Sequence, residues 1–279
     1  SIVVNVFRYL GGLLFLMFVS TDITDFFTYQ LLIAFGEVVV FVFRLYQNVG
    51  GRLKLERIFI FDLVELKRVM PFALGIFYST LLWILMTQVD KLIFSKILSL
   101  REFGYLSIVA LVASSILQGS SPITQAFAPR LTKAFAEGRI DLLKLEYSKC
   151  TRTLTIFTST VAAALFFYSH YIILIWTDNA ELSTWADDIL LYYVLGNLLV
   201  VLTGMQYLLQ FSFGDLKLHV KGATFSFIVQ VPIIIFVALN FGIEACAITF
   251  MIIRLIWFLV WPWFIHHKFI PSFHFGWLF

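Results

Sequence analysis

Five stretches of this chain run for at least 21 residues without an Asp, Glu, Lys or Arg: 69–89, 103–129, 153–177, 189–214 and 222–243. A helix needs about 20 mostly apolar residues to cross a bilayer. Three further runs carry one charge each: Arg8 in 1–21, Glu37 in 26–43 and Arg254 in 245–267. The pattern predicts eight membrane-spanning helices, called spans A to H in chain order. Barrel strands would be shorter and would alternate in polarity. Composition excludes the other classes. Apolar residues make up 61% of the chain and charged residues 13%, against roughly 45–50% and about 25% in soluble domains. Disorder and a disulfide-built secreted fold do not fit such figures. A net charge of +3 is too small to argue for a nucleic-acid partner.

Basic residues orient the spans. The B–C, D–E and F–G loops and the C-terminal tail hold 15 of the 20 Lys and Arg; the alternate loops hold Lys91, Lys96 and Arg101. The positive-inside rule places the basic loops in the cytoplasm and predicts a multi-pass protein of the cytoplasmic membrane. Cys150 and Cys246 then fall at opposite membrane faces and read as small apolar fillers. The chain opens on Ser1 without a cleavable leader pattern, which reads as a start partway into a longer protein. The segment 44–68 mixes apolar and charged residues at helical spacing and predicts an interfacial amphipathic helix. The segment 130–152 predicts a second one, with a turn near Gly138.

No Gly-rich phosphate loop, HExxH or GxSxG motif occurs, so neither a cofactor nor an enzyme activity is expected. The adjacent His266 and His267 point about 100° apart on a helix and make a poor metal site. They read as an interfacial cap of span H. Charges at membrane depth are costly and face a partner or a wet cavity. Arg8 and Glu37 lie equally far from the A–B turn and are predicted to form an intramembrane ion pair. Arg254 lies mid-span in H, with Gln230 of span G at matched depth. Gln230 can accept a hydrogen bond but cannot neutralise a charge. Arg254 is therefore the best candidate for an uncompensated cation in a cavity. Span D adds Ser114, Ser115, Gln118, Ser120, Ser121 and Gln125, dense enough to wet a cavity, and its Pro122 and Pro129 permit a bend.

The run QVDKLIFSKILSLREFGYLSIVALVAS, residues 88–114, contains Asp90-Lys91, an apolar LIFSKIL stretch, then Leu100 and Phe103-Gly104-Tyr105. It resembles the start of the C-terminal half in polysaccharide flippases of the multidrug/oligosaccharidyl-lipid/polysaccharide exporter superfamily. The run PITQAFAPRLTKAFAEG, 122–138, is similar to that family's exit from its eighth helix. The resemblance implies an all-α integral membrane protein, a MATE-like helical bundle with eight of an expected twelve helices present. Residues 1–46 would be the last two helices of the N-terminal bundle, 47–70 the cytoplasmic inter-bundle linker and 71–279 the C-terminal six-helix bundle. It implies a non-enzymatic flippase that moves a lipid-linked oligosaccharide, a sugar repeat on polyprenyl pyrophosphate, by alternating access. A proton or a sodium ion is the expected coupling ion and membrane lipids are the other partners. Arg254, Lys91 and Arg8 are the expected headgroup cations, with Asp90, Gln118 and Gln230 completing the substrate-binding set. The alternative is a cation-coupled multidrug exporter of the same fold, which would want acids rather than bases deep in the bundle.

Overall fold

The computed structural model describes residues 2–20, 22–48, 63–271 and 273–278. All regular structure among them is helical. The chain divides into two units, Ser1–Leu66 and Lys67–Phe279. Most of the predicted interfacial helix at 44–68, and with it most of the linker 47–70, lies outside the described residues.

In the first unit, α1 runs as Ile2–Val6 and Gly12–Phe18 on either side of a π-helical turn, Phe7–Gly11. Helix α2 is Ile23–Asn48. Helix α2 adds side-chain hydrogen bonds to the carbonyls of this turn. Tyr29 donates its hydroxyl to the Phe7 carbonyl at 2.6 Å, and Gln30 Nε2 donates to the Arg8 carbonyl at 3.1 Å. Gly11 leaves the room for this: a Cβ there would stand 2.2 Å from the Tyr29 hydroxyl oxygen.

The second unit contains all but the first four residues of α3 (Leu63–Ile97), then α4 (Leu100–Ala136), α5 (Ile140–Thr177), α6 (Ala180–Ser212), α7 (Lys217–Phe269) and the short α8 (His274–Leu278). Six helices among the described residues are long and apolar enough to cross a membrane. Local chemistry sets several of their ends. Ser99 and Glu102 form a capping box at the start of α4. Asn179 Oδ1 accepts the Leu182 amide at 2.9 Å and caps α6.

Helix α7 is 53 residues long, about twice what a bilayer takes, and is really two antiparallel arms. Gly242 breaks it with φ 82°, ψ −168°. Cys246 Sγ lies 3.6 Å from the Ile234 carbonyl oxygen and the Phe225 and Trp257 rings stack at 6.4 Å. In a straight helix residues 12 apart are separated by about 18 Å. The eight apolar runs thus map onto α1 to α7, with the last two on the arms of α7. The chain is a multi-pass membrane protein, an all-helical bundle.

Helix α6 is the hub, packing on α4, α5 and α7. Leu190, Val194, Met205 and Leu209 are fully enclosed there. Large apolar residues such as Phe167, Ile175, Phe236 and Leu239 point outward. This inversion follows from the solvent, since hydrocarbon is as apolar as Leu and helices associate by close packing and polar contacts. Pro122 and Pro129 lie within a continuous α4, and the interior departures from helical dihedrals are at Tyr168 in α5 and Gly242 in α7.

Two expectations are corrected. Residues 130–152 do not form a separate interfacial helix. They are the ends of α4 and α5, joined by a tight turn at Gly138, because each helix continues through this segment up to that turn. His266 is not an interfacial cap. It is fully buried, with Nε2 2.9 Å from the Tyr147 hydroxyl and Nδ1 3.0 Å from His274 Nδ1. His267 is the exposed member of the pair and stacks on Trp263 at 5.6 Å.

Outside the spans, Lys268 Nζ donates to Asp215 Oδ2 at 2.7 Å. That hydrogen bond holds the Asp215 carboxyl below the usual carboxylate range. A depressed folded value stabilises above the unfolded value of about 3.9 and ceases to as pH falls through the folded one. Asp215→Asn is therefore expected to destabilise the protein by under about 1 kcal/mol at neutral pH, seen as a slightly lower unfolding temperature. The deficit disappears in acid. Thermal unfolding of the solubilised protein at both pH values checks this, and a deficit that persists in acid contradicts it.

Candidate functional site

A cavity of about 610 Å³ opens inside the second unit, among α3, α4, α6 and α7. It is far larger than an ordinary packing defect. Helix α3 contributes Ser79 and Trp83, α4 Ser120 and Thr124, α6 Tyr207, and α7 His219, Arg254 and Trp261. None of its lining residues is an acid. Arg254 is 6% exposed, and its Nε and Nη2 have no hydrogen-bond partner among the described residues. Its guanidinium instead lies over two rings, Trp83 at 5.7 Å and Phe250 at 5.2 Å. A desolvated cation–π contact is worth about 2 kcal/mol. Burying an ion costs several, so the site is short of an anion.

A second, smaller cavity of about 240 Å³ shares Trp83 and Leu117 with the first. Asp90, Lys91, Tyr193, Asn197 and Gln230 line it. Asp90 is held by the fold rather than by its neighbour's ammonium. Its Oδ1 accepts the Lys91 backbone amide at 2.8 Å and its Oδ2 accepts the Tyr193 hydroxyl at 3.0 Å. Gln230 is buried with its Oε1 unpartnered. It shares no hydrogen bond with Arg254 among the described residues, and the two side chains line different cavities.

Of the residues singled out in the sequence, the structure gathers Asp90, Lys91 and Gln230 in one cavity and Arg254 in the adjoining one. Gln118 is exposed on α4 and lines neither. Arg8 belongs to the first unit, where its Nη2 lies 3.2 Å from Glu37 Oε2. Removing either partner leaves a charge that insertion scales penalise by about 2.5–3.5 kcal/mol at mid-bilayer depth. Arg8→Ala or Glu37→Ala is therefore expected to cut the amount of membrane-inserted protein, and the swap Arg8→Glu with Glu37→Arg to recover it. Quantitative immunoblotting of membranes decides this; single variants that accumulate normally contradict it.

Sequence reasoning missed Trp83, Tyr193, His219, Phe250 and Trp261. Among 32 Phe, 11 Tyr and 7 Trp in a chain this apolar, no aromatic residue stands out by type or spacing.

A family model described as polysaccharide biosynthesis protein matches residues 35–180, just over half of the chain. That stretch includes Asp90 and Lys91 and stops short of Arg254. No curated protein and no solved structure matches.

Proposed function

Because this chain belongs to the polysaccharide biosynthesis protein family, we propose that it is the carrier step of that process, a flippase for lipid-linked oligosaccharide. The cargo is a sugar repeat on polyprenyl pyrophosphate, moved across the cytoplasmic membrane by alternating access. No enzymatic step is assigned to it. The observation that carries this reading is Arg254, a buried guanidinium with two unpartnered nitrogens in a cavity without acids.

The physics suits an amphiphile with an anionic head. A pyrophosphate and its sugars cannot cross about 30 Å of hydrocarbon unaided. Arg254 meets phosphate oxygens, for which a guanidinium fork is matched. The Ser, Thr and aromatic lining suits sugar hydroxyls and ring faces, while the polyprenyl tail stays in lipid. Lys91 adds a second cation further along the path. Asp90, with Gln230 beside it, is the seat for a coupling proton or sodium ion. Residues 1–46 are assigned to the end of an N-terminal bundle, 47–70 to a linker and 71–279 to a C-terminal six-helix bundle; the division of the chain at Leu66 and Lys67 supports that arrangement. Arg8 is assigned to the first bundle as a weaker headgroup contact. The multidrug-exporter reading is disfavoured by the lack of acids around the larger cavity, where an organic cation would sit.

Reconstitution in vesicles carrying a polyprenyl-diphosphate sugar in one leaflet tests the proposal. The fraction of sugar open to an impermeant oxidant is expected to rise with the protein present. No rise, with efflux of an organic cation instead, would transfer the assignment to the exporter.

A further inference from the structure

The two cavities of the second unit are neighbours with different chemistry, one around Arg254 with no acid in its lining and one holding Asp90 together with Lys91. Something must keep them apart. Arg254 lines the larger and Asp90 the smaller, and Trp83 and Leu117 line both. A buried guanidinium and a buried carboxylate in a low-dielectric interior attract strongly. If they met, the cation would no longer be open to an anion, nor the carboxylate to a cation.

Beside that shared wall, Phe250 lines the smaller cavity and touches the cation of the larger one. Its ring lies 5.2 Å from the Arg254 guanidinium carbon. It also packs on the Tyr193 ring at 5.7 Å, and the Tyr193 hydroxyl holds Asp90. Helix α6 is shaped to receive this ring. A Cβ at Gly196 would fall 2.3 Å from Phe250 Cε1 and 2.6 Å from Cδ1, so only a bare backbone admits it there. Phe250 sits one helical turn from Arg254 on the same arm of α7, so the two side chains share a face. We propose that Phe250, seated against Gly196, is a septum that completes the partition Trp83 and Leu117 form between the Arg254 cavity and the Asp90 cavity. It is a positioning residue: it blocks passage between the cavities by bulk and keeps Arg254 turned away from Asp90. Its consequence for transport rests on the flippase reading, whereas the separation itself does not.

Cys246 provides the readout, since it lines the smaller cavity and Cys150 is the other cysteine in the chain. In a Cys150→Ser background, sealed vesicles are treated with an impermeant methanethiosulfonate from the face bearing the basic loops. The parent is expected to label slowly, and Phe250→Ala at least about tenfold faster, because the reagent now passes from the larger cavity into the smaller. Phe250→Leu, which keeps most of the bulk, stays slow. Should Phe250→Ala fail to accumulate, Gly196→Ala displaces the ring and is expected to give the same fast labelling. A parent or a Phe250→Leu variant that labels as fast as Phe250→Ala overturns the septum, and so does a slow Phe250→Ala. Failure of sugar translocation in the parent would remove the flippase reading without moving these rates. Unchanged labelling in Phe250→Ala beside intact translocation would remove the septum alone.

Discussion

Arg254→Gln is expected to reduce translocation of a polyprenyl-diphosphate sugar by about 10- to 100-fold without weakening the fold. A hydrogen bond to a charged group is worth about 1.5–3 kcal/mol, and each 1.4 kcal/mol is a factor of ten. Arg254 has two unpartnered nitrogens, and its contacts with the Trp83 and Phe250 rings offset only part of the cost of burying it. Replacing a buried, uncompensated ion by a neutral side chain is neutral or stabilising. The unfolding temperature should therefore hold or rise while transport falls. Those opposite signs separate a cargo contact from a structural residue, whose loss would lower both. Arg254→Lys keeps the charge and loses the planar fork, and is expected to fall between the parent and Arg254→Gln. Initial translocation rates in vesicles, read beside thermal unfolding of the same preparations, decide the matter. Unchanged transport in Arg254→Gln would remove the central support for an anionic cargo.

The second large effect is expected at Gly242. Its φ of 82° with ψ of −168° lies in a region that only glycine visits freely. A Cβ there would meet nothing within 4 Å, so the penalty of a substitution is backbone strain and not a clash. Gly242→Val should cost about 1–3 kcal/mol or more. In a unit of this size each kcal/mol lowers the unfolding temperature by about 2–4 °C. The site suffers with the fold, because this reversal alone brings Arg254 and Gln230, 24 residues apart in sequence, to adjoining cavities. A smaller loss is expected for Gly242→Ala. Thermal unfolding of the three proteins checks the order, and a Val variant as stable as the parent contradicts it.

Much of the fold could be read from residue order. The apolar runs are long enough to name the solvent, and the motif around Asp90-Lys91 pointed to the family that the match over 35–180 shows. Arg254 was conspicuous because it is one charge in a run otherwise free of them. Its surroundings were not. Trp83 lies on a helix distant in sequence, and the Tyr193 hydroxyl that holds Asp90 is 103 residues away. Gln118 illustrates the converse. The polar residues of span D are spread around the helix, so Ser120 and Thr124, one turn apart, line the larger cavity while Gln118 turns away from both. Pro122 and Pro129 stand inside a continuous α4, and the reversal within α7 fell to a glycine.

The sequence by itself determined that this chain lives in a bilayer and which of its apolar runs carry a charge. Those are properties of consecutive residues, set by the energy of moving each one from water into hydrocarbon. Only the tertiary structure decided which side chains share a cavity, which rings lie against the cation, and that Arg254 faces inward. These depend on the rotation of each helix about its own axis and on contacts between distant segments. In lipid, a surface of Leu and Phe costs no more outside the bundle than inside, so hydrophobicity along the chain carries no record of that rotation.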